Sequence, residues 1–235
     1  MWQGKNKAIT FSFDDAVLQD IKAIEILDKY GLKATFNLNS NALGGVRRHI
    51  YKNFNVDHSK VKPNDIKFVY QNHEVAAHTK DHIRLPSIEN DSSIIDQVEN
   101  DRLSLSDLCG YEVVGMAYPC GGVNNDDRVA KIIKENTGIK YARTIECNHN
   151  FDLQENLLRF NPSVYYMNKN KAFRLAEEFI NLKADKPQIF YVWGHTYEMD
   201  YCDKKQMTWE LFEDFCKLIS NKSDIFYGTN KEILL

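Results

Sequence analysis

Short runs of β-branched and aromatic residues alternate along this chain with stretches whose apolar positions recur at helical spacing. Ala8-Ile9-Thr10-Phe11-Ser12-Phe13 predicts a strand, and Asp14-Asp15 ends it. Val17, Ile21, Ile24 and Leu27 then fall on one face of a helix, with Gly31 where a C-cap belongs. Further strands are predicted at 34–38, 74–78, 113–118, 141–145, 189–193 and 225–227. Helices are predicted around 94–108, 129–133, 173–180 and 211–219. Ile189 to Trp193 is apolar throughout, as in a strand buried on both faces.

Seven strands alternating with helices imply a parallel α/β sheet or barrel. No repeat, low-complexity tract or linker interrupts the pattern, so residues 1–235 are expected to form one domain. Residues 40–65 break the rhythm. They are polar, carry Gly44-Gly45 and Pro63, and predict a long excursion that is functional or holds small elements of its own.

The bulk numbers exclude more than they assign. A formal charge of −3 and no long basic run leave no footprint for nucleic acid. No apolar run approaches the roughly 18 residues of a membrane span. Met1-Trp2-Gln3-Gly4-Lys5 lacks the apolar core of an export signal. The five cysteines are odd in number and form no C-x-x-C pair, which points to reduced thiols rather than a disulfide framework. Together these favour a cytoplasmic setting; a leader removed in processing would instead place the chain outside the cell.

The polar residues of interest follow directly after strands. Strand carboxyl ends converge on one face of a parallel α/β fold, so residues far apart in sequence can meet there. Asp14-Asp15 could supply a metal ligand and a base, or could merely cap the next helix. His78 and His82 stand four apart, on one face if the segment is helical, and could share a transition metal or be incidental. His195 ends an apolar strand beside Gly194 and is either a general acid or base or a buried, hydrogen-bonded histidine. In Tyr118-Pro119-Cys120-Gly121-Gly122 the Cys120 N–H could face a developing oxyanion. Cys120 as a nucleophile needs a base partner, and none is near it in sequence.

In combination and order, these motifs resemble the polysaccharide deacetylase family, the NodB-homology domain of carbohydrate esterase family 4. Ser12-Phe13-Asp14-Asp15 matches its first motif and His78-Thr79-Lys80-Asp81-His82 its second. Ala117-Tyr118-Pro119-Cys120-Gly121 meets the third, Arg-x-Pro-Tyr-Gly, in part, and His195 corresponds to the late histidine. The likeness spans roughly residues 6–228. It implies a distorted seven-stranded (β/α) barrel and hydrolysis of an acetyl amide or ester on a glycan. Asp15, His78 and His82 would hold zinc or a similar divalent ion (cobalt, manganese, nickel). Asp14 would be the base, His195 the acid, and the Cys120 N–H an oxyanion donor.

Two departures stand out. Ala117 occupies the place of the arginine that braces the base, and Arg143 could supply that guanidinium from the next strand. An Asp-x-x-Asp-Trp motif is missing, and Glu198 could orient His195 in its place. Two other readings remain at this level: hydrolysis of a small amide, imide or ureide, and a carbohydrate binder without turnover. Trp193 and Tyr197 could stack on a sugar or pack in the core.

Overall fold

A computed structural model describes residues 2–235. Along the chain run β1 (Lys7–Asp14), α1 (Gln19–Lys29), β2 (Ala34–Leu38), β3 (Arg48–Tyr51), β4 (Phe54–Asp57) and α2 (Ile66–Val69). Then come β5 (Glu74–Ala77), α3 (Asp91–Cys109), β6 (Gly115–Ala117), α4 (Asp127–Asn136), β7 (Tyr141–Arg143) and β8 (Val164–Tyr165). The last elements are α5 (Lys169–Asn181), β9 (Gln188–Gly194), α6 (Trp209–Ile219), β10 (Ile225–Tyr227) and α7 (Asn230–Leu234).

All seven expected strands form, joined by the two-residue β8. The main sheet is parallel throughout, in the order β7-β6-β5-β2-β1-β9-β8. β10 lies against the first half of β1, below β2 on the same edge. The sheet curls into a half-barrel. Its two ends are drawn together by the segment from Phe160 to Tyr165, which bridges to Arg143 on one side and pairs with β9 on the other.

β1 is the central stave, buried along its whole length. Its apolar residues Ile9, Phe11 and Phe13 alternate with Thr10, Ser12 and Asp14, and these polar side chains are tolerated inside because each is hydrogen-bonded: Thr10 donates to Asn230, Ser12 accepts from Asn37 and Asp14 from Arg143. Phe13 packs against Phe36, Tyr166 and Phe212, and Phe11 against Phe212 and Phe215, with ring centroids 5.7–6.2 Å apart. Each such ring contributes roughly 1.5–3 kcal/mol by leaving water. Among the described residues no helix is long and apolar enough to cross a membrane, and all five cysteines are free.

The polar excursion holds structure of its own, the antiparallel hairpin β3–β4. Its inner side rests on aromatic rings beyond β9: Tyr51 stacks on Tyr201 at 5.0 Å and Phe54 lies 5.6 Å from the same ring. The excursion returns through Lys60, which bridges to Val17. That return holds the hairpin over the carboxyl end of β1.

Candidate metal centre and acid–base site

Parallel register brings the sequence candidates to one end of the sheet. Asp14 closes β1, His78 follows β5, Arg143 ends β7 and His195 follows β9. α1 begins only at Gln19, with Leu18 at its N-cap, so neither Asp14 nor Asp15 caps it.

Asp14 is buried at the bottom of the site. Arg143 Nη2 donates to both of its carboxylate oxygens, each at 2.5 Å. Asn37 Nδ2, its register partner on β2, donates to Oδ1 at 2.8 Å. Ala117 and Arg143 are cross-strand neighbours on β6 and β7. Side chains in register on adjacent parallel strands share a face, so the guanidinium enters from one strand over. Arg143 is itself fixed: Nη1 donates to Thr144 O at 3.1 Å, and the guanidinium lies 4.5 Å from the centroid of the Trp193 ring. Burial alone would raise the Asp14 carboxyl, but Arg143, His78 and His195 hold it below the usual carboxylate range.

Asp15, His78 and His82 each offer one donor atom, all within 4.8 Å of one another. Asp15 Oδ1 is 3.5 Å from His82 Nε2 and 4.0 Å from His78 Nε2. Ligands at 2.0–2.1 Å on a tetrahedral ion lie roughly 3.3 Å apart, so a small contraction would suit a cation. The tautomers also fit. His78 Nδ1 is 2.8 Å from the Ala117 carbonyl, which places the proton there and leaves Nε2 as a lone-pair donor. Burial pushes His78 down to about 4, so the imidazole is neutral at ordinary pH.

The two histidines do not share a helix face. They meet across a turn in which Thr79 and His82 both take left-handed backbone, with φ of 63° and 53°. Asp15, Ala16 and Cys120 are left-handed as well. Each such residue costs of order 1–3 kcal/mol, a burden borne where surrounding bonds over-determine it. Here Asp101 of α3 accepts the His78 N–H at 2.9 Å, and Asn39 Nδ2 donates to the carbonyls of His78 and Thr79 at 2.6 and 2.9 Å.

His195 faces Asp14 across the site, Nε2 to Oδ2 at 3.8 Å. Its Nδ1 lies 3.3 Å from Glu198 Oε2, which also accepts the His195 N–H at 3.1 Å. The hydroxyl of Tyr165 donates to the other oxygen of Glu198. Glu198 is buried, not solvent-facing. Burial opposes charge on His195, yet Glu198, Asp15 and Asp14 carry it up to about 9. Gly194 is required beside it, because a Cβ there would sit 2.0 Å from the Tyr166 ring. The Tyr166 hydroxyl in turn donates to His195 O at 2.7 Å.

The Cys120 loop is pinned by Asn124 Nδ2, which donates to Tyr118 O and Cys120 O at 3.0 Å each. Among the described residues the Cys120 N–H has no acceptor. The thiol is a poor nucleophile. Burial pushes it up, and its neighbour His82 meets Sγ with a backbone carbonyl at 3.6 Å and with ring Nδ1 only at 3.9 Å. Trp193 is committed to Arg143 and Tyr165 rather than to a sugar face.

Two neighbours of Asp15 come from the excursion and were not anticipated. His58 Nε2 lies 3.3 Å from Asp15 Oδ2, its ring edge-on to Tyr197 at 4.5 Å. Lys60 is buried nearby. Burial would raise the Asp15 carboxyl, but His58, Lys60, His195 and His78 hold it well below the usual range. A histidine and a lysine in a polar loop carry no periodic signal; only the return of the chain over β1 reveals them.

The polysaccharide deacetylase family model matches residues 3–142, more than half of the chain. The chain belongs to the polysaccharide deacetylase family. No curated protein matches it. Solved structures share the fold at low identity. One is the Xyl-CE4 domain of a multidomain xylanase from the hindgut metagenome of Trinervitermes trinervoides, with 15% identity, TM-score 0.61, and 97% of this chain and 90% of that one covered. A family 4 carbohydrate esterase from Streptomyces lividans, in complex with acetate, matches at 10% identity and TM-score 0.58 over 96% and 93%. A mutant of a CE4 family pseudoenzyme from Bacillus anthracis, with restored enzymatic activity, matches at 18% identity and TM-score 0.58 over 98% and 68%. Membership alone therefore leaves turnover to be argued from the site.

Proposed function

We propose that this chain is a metal-dependent deacetylase that hydrolyses an acetyl amide or ester on a carbohydrate. The observation that carries the reading is the juxtaposition of an Asp15/His78/His82 donor set with Asp14, held by Arg143, and His195 opposite. Two imidazoles and a carboxylate suit zinc, with cobalt, nickel or manganese as substitutes. A divalent ion bound there would supply Lewis-acid polarisation of the acyl carbonyl and a more acidic water.

The chain's own groups do the rest. Asp14, kept ionised by Arg143, takes a proton from the attacking water. The free N–H of Cys120 donates to the oxygen that gains charge. His195, protonated at neutral pH by virtue of Glu198, delivers a proton to the departing amine or alcohol. Arg143 and Glu198 fill the places of the two missing motif elements, which speaks against a binder without turnover. A second reading keeps the chemistry and shrinks the substrate. The excursion lines an open cavity of about 530 Å³ beside Asp15 and His82, within the size range of small-molecule sites.

The test is Asp14→Asn. Turnover of 4-nitrophenyl acetate should fall by roughly 10³-fold while bound metal, counted by mass spectrometry, is unchanged. Chelation of the wild-type protein should abolish turnover and zinc should restore it. Full activity in Asp14→Asn would show the base to lie elsewhere.

A further inference from the structure

The cavity beside Asp15 and His82 is lined by three permanent cations, Arg47, Lys60 and Lys80, and by two carboxylates, Asp15 and Asp81. Arg47, His49, His58 and Lys60, all from the excursion, form one wall. Lys80 and Asp81 also reach it, and both are hydrogen-bonded within the protein: Lys80 Nζ pairs with Asp96 at 2.5 Å, and Asp81 accepts from the neutral amides of Asn41 at 2.7 Å and Gln97 at 2.6 Å, which leave its charge in place. Arg47 and Lys60 are not. Neither side chain donates a hydrogen bond or forms an ion pair among the described residues.

Lys60 makes the argument, because it is only 8% exposed. A cation so little exposed has lost most of its water and gains from a charged partner. Its anionic neighbours are Asp15 and Asp20. Asp15 is engaged by His58 and, in the reading above, by the metal. Asp20 already accepts from Thr196 at 2.6 Å and Tyr70 at 2.8 Å, and burial pushes its carboxyl up to about 7, so it is a weak counter-charge. A ligand anion would supply what the protein does not.

We propose that this chamber receives an anionic group of the acylated substrate, a carboxylate or a phosphate, with Lys60 and Arg47 as its counter-charges. The inference rests on the hydrolase reading for the neighbouring bond that is cut, and it names the substrate class that reading leaves open. Charge-assisted hydrogen bonds contribute more than neutral ones, so a neutral glycan would leave both cations unused.

The experiment compares three acetylated sugars: neutral N-acetylglucosamine, its 6-phosphate, and N-acetylmuramic acid, which carries a carboxylate. Binding is measured by titration calorimetry on the metal-free protein, so that the anion cannot be held by the metal. At least one charged sugar should bind about tenfold more tightly than the neutral one. Which of the two is favoured separates phosphate from carboxylate. The preference should fall to near parity in Arg47→Gln and in Lys60→Met. Should Lys60→Met fail to fold, Arg47→Gln, on an exposed side chain, decides. Equal binding of all three sugars, or a preference that survives the substitutions, overturns the proposal. Hydrolysis of neutral 4-nitrophenyl acetate by the metal-loaded wild type is scored separately. Hydrolysis without charge preference would remove the anion site and keep the function; charge preference without hydrolysis would do the reverse.

Discussion

The floor of the site and its hairpin wall are built on different principles. Asp14, Arg143 and His195 stand at the ends of parallel strands, and each is held by two or more partners. The hairpin β3–β4 touches the rest of the molecule through aromatic stacking and a few polar contacts, and its tip is exposed, with Ile50 72% accessible. A floor fixed by strand register can hold one chemistry at hydrogen-bond precision. A wall that sits on top of it can vary in charge and shape without disturbing that register. In the proposed function, the difference separates the residues that decide whether a bond is cut from those that decide which molecule carries the bond.

The sharpest way to break the floor is at Arg143. Arg143→Met leaves Asp14 buried and without its guanidinium, which should cost about 3 kcal/mol in a denaturant titration. The unbraced carboxyl rises toward its protonated form, so kcat should fall by roughly 10²-fold. Because Ala117 sits beside Arg143 in register, adding Ala117→Arg should return part of that activity. No rescue, with Arg143→Met itself near wild-type turnover, would mean that Asp14 needs no brace from either strand.

Glu198 offers a smaller effect with a direction attached. It is the main group that raises His195 to about 9 against burial. A histidine with a raised value stays protonated up to that pH, so the alkaline limb of kcat/KM should lie high. Glu198→Gln removes the negative charge but keeps the acceptor for the His195 N–H. The limb should move to lower pH, and turnover at pH 8 should fall about tenfold. An unmoved profile would detach Glu198 from the acid. The same raised value contributes stability that is full below about pH 6.5 and lost as pH rises through about 9.

How much of this was legible in the amino-acid sequence follows the same division. The alternating β-branched and aromatic residues of β1, the apolar run of β9 and the helical spacing around Ile94 or Leu211 are local patterns, and those elements formed as expected. Arg143 as a partner for Asp14 is legible because Ala117 leaves the family's arginine position without a guanidinium and Arg143 follows the next strand. The nearness of His78 and His82 is legible from their spacing, but its geometry is not: the segment is no helix, and a turn with two left-handed residues makes the contact. His58 and Lys60 were out of reach, since nothing between residues 40 and 65 signals that the loop folds back across β1. β8 is two residues long and α7 five, too short for periodicity to register.

His58 is where the two regions meet, and it gives the finest test of their separation. It comes from the hairpin's return segment yet lies 3.3 Å from Asp15 Oδ2, on the oxygen opposite the one facing His82. It is not one of the three residues whose donor atoms cluster within 4.8 Å. In the proposed metal centre its place is to aim Asp15, as groups behind metal ligands do, and such groups are worth about ten- to a hundredfold in metal affinity. His58→Gln should weaken zinc binding by about tenfold in a competition titration and leave kcat at saturating zinc within about threefold of wild type. Loss of the metal altogether would make His58 a ligand and move the boundary of the floor outward. Unchanged affinity would confine the hairpin to the substrate and leave Asp15 to β1 alone.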